Sequence, residues 1–130
     1  MNLMIRKSNY FIVLFAAVLL FVGCKDDPQR HLKLGNWYFQ KGLIDEAVLE
    51  YREVIRLLPT SSIELTRNEF TALAKAHYSL ALVYTKKGWF DYALAEAETC
   101  FKLIPTKENH ELVKLIKKRL ALADNVNIDS

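Results

Sequence analysis

The sequence predicts an all-α fold in which two helical hairpins are followed by a C-terminal capping helix. First, the turn KGLIDEA at residues 41–47 recurs 46 residues later as KGWFDYA at residues 87–93. Second, apolar residues at helical spacing lie on both sides of each turn. Third, Pro59 and Pro105 follow the second helical pattern of each copy, where a proline prevents a helix from continuing. Each copy is therefore predicted as helix, turn, helix and stop.

Small residues at matching positions explain how the two helices of each pair can pack. Gly35 and Ala81 have almost no side chain, so a second helix can lie close against the first. Gly42 and Gly88 stand where a helical pattern ends, and glycine adopts the left-handed conformation that closes a helix without a Cβ clash. The chain has four glycines, namely Gly23, Gly35, Gly42 and Gly88. None is therefore left for a glycine-rich phosphate-binding loop.

These positions together resemble the tetratricopeptide repeat, whose pattern is W-x2-L-G-x2-Y, then A-x3-F, then P. The first copy has His31, Leu34, Gly35, Tyr38, Ala47, Tyr51 and Pro59 at these positions, and the second has His77, Leu80, Ala81, Tyr84, Ala93, Ala97 and Pro105. Histidine takes the tryptophan position in both copies. The resemblance implies a tetratricopeptide-repeat-like solenoid of two repeats, at residues 28–61 and 74–107.

The first 23 residues have the pattern of a bacterial export signal. Arg6 and Lys7 precede about twelve apolar residues, a length that suits a signal peptide and is short of the roughly 20 residues that cross a membrane. Residues 21–24, FVGC, are similar to a lipobox, which implies that Cys24 is lipidated and becomes the mature N-terminus. Residues 24–27 are then a short tether. An uncleaved signal anchor is the alternative.

The lipobox resemblance implies a location in the bacterial cell envelope, outside the cytoplasm and tied to a membrane. Acyl chains on Cys24 would provide the anchor, since each buried CH2 contributes about 0.8 kcal/mol. Lys25, in place of Asp, directly follows that cysteine. In enterobacteria-like lipoproteins this pattern permits transfer to the outer membrane, which favours its periplasmic face over the inner membrane.

The first helix pair is expected to begin at Pro28, with Asp27 as its N-cap, because a proline in the first helical position loses no hydrogen bond. Its first helix should run to about residue 40 and its second over residues 45–58. Apolar residues of the second helix recur at helical spacing, namely Val48, Tyr51, Val54, Ile55 and Leu58.

An insert at residues 62–73 separates the two repeats, since their offset exceeds the family period of about 34 residues. Two capping boxes compete to start the next helix, Ser61 with Glu64 and Thr66 with Glu69. We favour the second, because a continuous apolar stripe follows it, and expect a helix of about twenty residues. Its first two turns should project beyond the repeat. The alternative is a loop followed by a helix of ordinary length.

Residues 108–124 are predicted to form a capping helix that belongs to no third repeat. A repeat array leaves its last apolar face open, and a polar-backed helix can cover it. The apolar face would consist of Leu112, Val113, Ile116 and Leu120, and the basic residues are Lys114, Lys117, Lys118 and Arg119. We interpret the basic residues as a solvated face that complements the helix dipole; contact with anionic lipid or a carboxylate-rich partner is the alternative. Residues 125–130 are expected to be a frayed tail.

Charge and motifs argue against several functions. After residue 24, 16 basic residues stand against 15 acidic ones, so the domain lacks the basic surface that binds nucleic acid. The chain also has no nucleophile-and-base pattern and no glycine for an oxyanion turn. It is therefore predicted to be non-enzymatic, without a cofactor or a metal.

Three residues with potential chemistry are interpreted as packing residues. Cys100 is the only cysteine after Cys24 and falls where the repeat needs a small buried residue, which predicts an unreactive core thiol. His31 and His77 occupy the slot of a buried tryptophan and are predicted to be core or edge residues. The alternative is a ligand or haem bridging them, since stacked helices lie about 10 Å apart.

The family resemblance implies a concave groove, lined by the first helix of each pair, that binds an envelope protein or one of its peptide segments. By position, the implied groove residues are Leu32, Asn36, Phe39, Gln40, Lys75, Tyr78, Ser79, Leu82 and Lys86. Apolar anchors among polar groups are typical of peptide-binding surfaces. Chaperone-binding members hold a terminal carboxylate with Lys and Asn; here Asn36 matches, while Leu32 stands at the lysine position.

Trp37 lies on the side of the first helix that would meet a preceding repeat, and no such repeat exists. We therefore expect Trp37 to mark an uncovered edge that serves in assembly, whereas Trp89 in the second turn should pack on the end of its helix pair.

The sequence predicts a membrane-anchored, non-catalytic adaptor for a protein or peptide. The alternative is a structural lipoprotein that self-associates through Trp37.

Overall fold

The computed structural model describes residues 26–59 and 63–128, with side chains up to residue 125. Five helices account for most of this part of the chain, which contains no strand. They are α1 (Pro28–Gln40), α2 (Ile44–Leu57), α3 (Arg67–Lys87), α4 (Phe90–Leu103) and α5 (Lys107–Ile128). The all-α prediction of two helix pairs and a further C-terminal helix is confirmed.

Local capping determines where α1 and α3 begin. The Asp27 carboxylate accepts a hydrogen bond from the backbone N–H of Gln29 at 2.9 Å, and Pro28 stands at the first helical position. Thr66 and Glu69 form a reciprocal capping box, in which Thr66 N–H donates to the Glu69 carboxylate at 2.8 Å. The restart of the helix after Thr66 is thus confirmed, and α3 has 21 residues.

The start of α3 differs in one respect from the expected two projecting turns. Arg67 and Asn68 are solvent-exposed, but Ala72 and Leu73 lie in the hydrophobic core. The Gln29 side chain also donates a hydrogen bond to the backbone carbonyl of Asn68 at 3.1 Å. The expectation is therefore wrong beyond the first turn, because core contacts bury Ala72 and Leu73 in the second turn.

Successive packing of the helices builds a short tetratricopeptide-repeat-like solenoid. α1 packs on α2, α3 on α4, and α2 on α3, while α1 also contacts α3 across the repeat boundary. α5 then packs against α4 and completes the stack. The largest fully buried side chains come from three of the five helices, and they are Tyr51, Val54, Leu80, Val83 and Ile116. One continuous core thus connects both pairs with the C-terminal helix.

Gly35 of α1 lies directly against the ring of Tyr51 on α2. A Cβ atom on Gly35 would lie 2.7 Å from Cε1 and 2.8 Å from Cδ1 of that ring, which is shorter than a carbon–carbon contact allows. At the equivalent positions, the second pair has Ala81 and Ala97, both fully buried. The first pair therefore accommodates a large side chain on α2 by having none on α1.

α5 is a cap that is longer and less polar than expected. It buries Leu112, Val113 and Ile116, as predicted, and extends to Ile128. The prediction of a frayed tail is therefore wrong for residues 125–128, and residues 129–130 lie outside the described part. The outer surface of α5 exposes Leu115 and Leu122, at 48% and 57%, so it is not uniformly polar.

The predicted signal peptide and lipidation site, including Cys24, fall outside the described residues. Within residues 26–59 and 63–128, none of the helices is long and apolar enough to cross a membrane.

Candidate partner-binding surfaces

The predicted groove residues lie on α1 and α3, the first helix of each pair. Four of them are solvent-exposed, namely Asn36, Gln40, Lys75 and Lys86. Four more are half-buried, namely Phe39, Tyr78, Ser79 and Leu82, and three of these, Phe39, Tyr78 and Leu82, pack against the core. A surface with an apolar floor and a polar border therefore runs over α1 and α3; we call it the groove surface.

Leu32 does not belong to the groove surface. Its side chain is 6% exposed and is part of the hydrophobic core. A partner cannot reach it without opening the contacts of α1 with its neighbours. The predicted assignment of Leu32 to the groove is therefore corrected, and the lysine position of the family's carboxylate clamp is occupied here by a core leucine.

A buried tyrosine beneath the groove surface connects three helices. Tyr51 on α2 donates a hydrogen bond from its hydroxyl to Asn36 Oδ1 on α1 at 2.8 Å. Burial raises the pKa of this phenol, and a side-chain hydrogen bond with Ser79 on α3 opposes that rise. Asn36 thus uses its carbonyl oxygen inside the protein, and its amide N–H groups can donate to a partner.

Phe39 and Lys86 connect the two repeats at one end of the groove surface. The Lys86 ammonium lies 5.5 Å from the centroid of the Phe39 ring, within the range of a cation–π contact. Phe39 is half-buried and packs against the core, whereas Lys86 is exposed. This contact places a positive charge above an apolar side chain, which is an arrangement suited to an acidic or amphipathic segment.

The other end of the groove surface meets α5 at a small cavity of about 260 Å³. Tyr78 makes a long contact of 3.5 Å with the Glu108 carboxylate, and Lys75 also lines this cavity. Burial and the nearby carboxylate raise the pKa of Tyr78. The buried Cys100 thiol forms part of the wall, and burial raises its pKa as well. The prediction that Cys100 is a packed core residue is confirmed by its burial.

His31 and His77 occupy equivalent places, and each binds a glutamate of the second helix in its own pair. His31 Nδ1 lies 2.6 Å from the Glu50 carboxylate, and His77 Nδ1 lies 2.5 Å from that of Glu96. The histidine side chains are only 14% and 13% exposed, as expected for core or edge residues. Sequence reasoning missed both glutamates, although their shared offset of 46 residues was visible in the repeat alignment.

The bridging-ligand alternative for these histidines finds little support in this geometry. One ring nitrogen of each is taken by a carboxylate, and His31 Nε2 is buried without a hydrogen-bond partner. Across the described residues, no three side chains of the metal-binding types converge. We therefore interpret the two histidine–glutamate pairs as ties between the helices of each repeat.

Trp37 on α1 is 49% exposed. Its indole meets Tyr38 edge-on at 5.2 Å, and the Lys41 ammonium lies 5.9 Å from the indole ring. The exposure expected from the sequence is present. Its use as an assembly surface stays a prediction.

A second aromatic surface surrounds the turn between α3 and α4. Trp89, expected to pack on the end of the pair, contacts Tyr84 but remains 48% exposed. It borders an open cavity of about 620 Å³ between the second turn, α2 and the C-terminal part of α5. This cavity lies outside the predicted groove residues, and we call it the aromatic pocket. It is lined by Arg52, Tyr84, Gly88, Trp89, Phe90, Asp91, Tyr92, Leu120, Ala123 and Asp124.

Residues 74–107 match the family model of the tetratricopeptide repeat. This segment contains most of α3 and all of α4, so the second helix pair is a tetratricopeptide repeat. Comparisons with curated proteins and with solved structures found no match. Because such repeats present extended binding surfaces to other proteins, the match indicates a protein-interaction module.

Proposed function

We propose that this protein is a membrane-anchored, non-catalytic adaptor of the bacterial cell envelope that binds a protein or peptide segment on the groove surface. The proposal rests on one observation: groove residues of the first repeat, on α1, and of the second repeat, on α3, form one surface. Asn36 and Ser79 both interact with the Tyr51 phenol, and Lys86 lies over Phe39. A partner can therefore contact α1 and α3 at once.

The character of the groove surface supports a peptide-like partner. Its exposed residues include amides and ammonium groups, and its half-buried residues include two aromatic rings, Phe39 and Tyr78. Apolar anchors surrounded by polar groups are the usual arrangement at binding hot spots. The anchor part of the proposal depends on the lipobox-like segment before Lys25.

Site-specific photo-crosslinking in cells tests the groove. A photoreactive amino acid at Gln40, an exposed groove position, should give discrete adducts with a partner protein. The same amino acid at Lys102, an exposed position of α4 outside the groove, is the matched control and should give none. Lys75→Glu with Lys86→Glu should reduce the Gln40 adducts several-fold, because it reverses two charges at the groove surface.

Equal adduct yields from Gln40 and Lys102, or no discrete adduct from Gln40, would contradict the proposal.

The intact mass of the purified protein tests the membrane anchor separately. We expect a chain that begins at an acylated Cys24, whereas a chain that retains residues 1–23 supports the signal-anchor alternative.

Self-association is a second candidate, favoured by the half-exposed Trp37 on α1. If this part of α1 pairs with another copy, light scattering of the full chain in detergent should show a dimer that Trp37→Ala dissociates. Trp89→Ala is a suitable control, because Trp89 is equally exposed but lies in the second turn. A monomer at all concentrations would contradict this candidate.

A further inference from the structure

The turn between α3 and α4 carries aromatic residues that the repeat itself does not require. In the equivalent turn of the first repeat, Leu43 and Glu46 occupy the positions of Trp89 and Tyr92. Both turns contain a glycine with φ of 76° and are followed by a helix of 14 residues. Since the first turn forms without aromatic side chains, Trp89 and Tyr92 are not needed for the turn to fold.

Three aromatic rings converge in the aromatic pocket. The centroids of Tyr84, Trp89 and Tyr92 are separated by 5.9, 6.0 and 6.3 Å, and the ring planes are inclined to one another by 31°, 54° and 59°. Tyr84 is buried at the base, whereas Trp89 and Tyr92 are 48% and 67% exposed. Such inclined rings form a concave aromatic surface that is open to solvent.

The protein itself shows that this aromatic surface can bind a cation. The Lys87 ammonium lies 4.2 Å from the centroid of the Trp89 ring and also pairs with the Asp45 carboxylate of the first turn. This is a cation–π contact inside the chain. In the second turn, Asp91 is the repeat equivalent of Asp45. Unlike Asp45, Asp91 forms no ion pair with any of the described residues.

The charges around the aromatic pocket favour a positively charged occupant. Asp91 from α4 and Asp124 from α5 both line it, and both are exposed and without an ion pair among the described residues. Arg52 is the one basic residue among the lining residues, and the nearby Lys87 ammonium over Trp89 is already paired with the Asp45 carboxylate. Two carboxylates therefore stand against one guanidinium beside aromatic faces, which carry partial negative charge.

We propose that the aromatic pocket binds an arginine or lysine side chain on a segment of a partner protein. The flat guanidinium of arginine can stack on an aromatic ring while its N–H groups donate to a carboxylate. The inference rests on the proposed adaptor function, because it adds a second contact site for a protein partner. The site is distinct from the groove surface and shares none of its residues.

The two tryptophans provide a direct test with an internal control. The full chain, with nitrogen-15 in its indoles, is placed in nanodiscs of zwitterionic phospholipid and titrated with N-acetyl-arginine methylamide. We expect a saturable shift of the Trp89 indole N–H signal and no shift of Trp37, which is equally exposed. The citrulline analogue has the same shape without the charge, and it should bind several-fold more weakly.

Variants then separate the aromatic and electrostatic contributions. Asp91→Asn and Asp124→Asn should each weaken binding of the arginine probe by up to about fivefold, which is the effect of a solvent-exposed ion pair. Glu46→Gln removes an exposed carboxylate from the first turn and should leave binding unchanged. Binding should be lost in the Tyr92→Leu variant, which removes one exposed aromatic ring and leaves the charge of the pocket unchanged; its indole signals report whether the variant is folded.

Equal binding of the arginine and citrulline probes would overturn the proposal, and so would equal shifts of both indole signals. Stronger binding of N-acetyl-glutamate methylamide would also overturn it, since Arg52 would then select the ligand. None of these outcomes affects the groove, because the crosslinking test uses Gln40 and residues outside the aromatic pocket. Conversely, failure of crosslinking at Gln40 together with a selective Trp89 shift would reject the groove and leave the aromatic pocket.

Discussion

Replacing Tyr51 with alanine should lower the free energy of unfolding by about 3–5 kcal/mol, the usual cost of removing a buried aromatic side chain. Tyr51 is 1% exposed and packs at the junction of α1, α2 and α3. A domain of this size has only about 5–15 kcal/mol of stability. The variant should therefore be partly or fully unfolded at 37 °C, as measured by circular dichroism during urea denaturation.

Tyr51→Phe is the matched control, because it keeps the ring and removes only the hydroxyl that donates to Asn36. It should cost about 0.5–1.5 kcal/mol, the net value of a typical hydrogen bond. If Tyr51→Ala cost no more than Tyr51→Phe, the ring would not be filling the junction. That result would contradict the packing described for α1 and α2.

The same site allows a test of coupling between the ring and Gly35. Gly35→Ala alone should destabilise the protein by about 1–3 kcal/mol, because the new Cβ would overlap the Tyr51 ring. In a Tyr51→Ala background the overlap is absent. The same change should then be neutral or stabilising by up to about 1 kcal/mol, since alanine favours a helix more than glycine does.

Ile116→Ala should lower the free energy of unfolding by about 2–5 kcal/mol, because it leaves a cavity under the C-terminal helix. Ile116 is fully buried and is part of the core that connects α5 with both helix pairs. Two repeats are fewer than the three or so that usually make a stable array. We therefore expect α5 to supply a large part of the stability, and urea denaturation of the full chain in detergent would measure it.

Leu115→Ala is the control for this prediction, since the neighbouring side chain is 48% exposed on the same helix. Surface substitutions usually change stability by no more than about 0.5 kcal/mol. Comparable losses for Ile116→Ala and Leu115→Ala would mean that α5 does not pack on α4 through the face described here.

Much of the fold could be predicted from the sequence because its signals are local. Asp27 and Thr66 cap helices through hydrogen bonds to residues two or three positions away. Gly42 and Gly88 adopt left-handed conformations that other residues avoid. Such features depend on neighbours along the chain, so they are visible before any tertiary contact is known.

The candidate sites were predictable only in part. The groove residues lie on the predicted helices, but Leu32 is covered by core contacts that helical spacing alone does not reveal. The partners of His31 and His77 are carboxylates 19 residues away on another helix. Pairing over such a distance depends on how two helices are rotated against each other.

The sequence by itself determined the repeat, the helix caps and the turns of this protein. Only the tertiary structure decided which faces are covered, how far α5 extends along the stack and that Tyr84, Trp89 and Tyr92 meet. Asp124 reaches the same pocket from α5, 33 residues after Asp91. The physical reason is that backbone conformation responds to adjacent residues, whereas a binding surface consists of side chains brought together from several helices by the burial of a shared core.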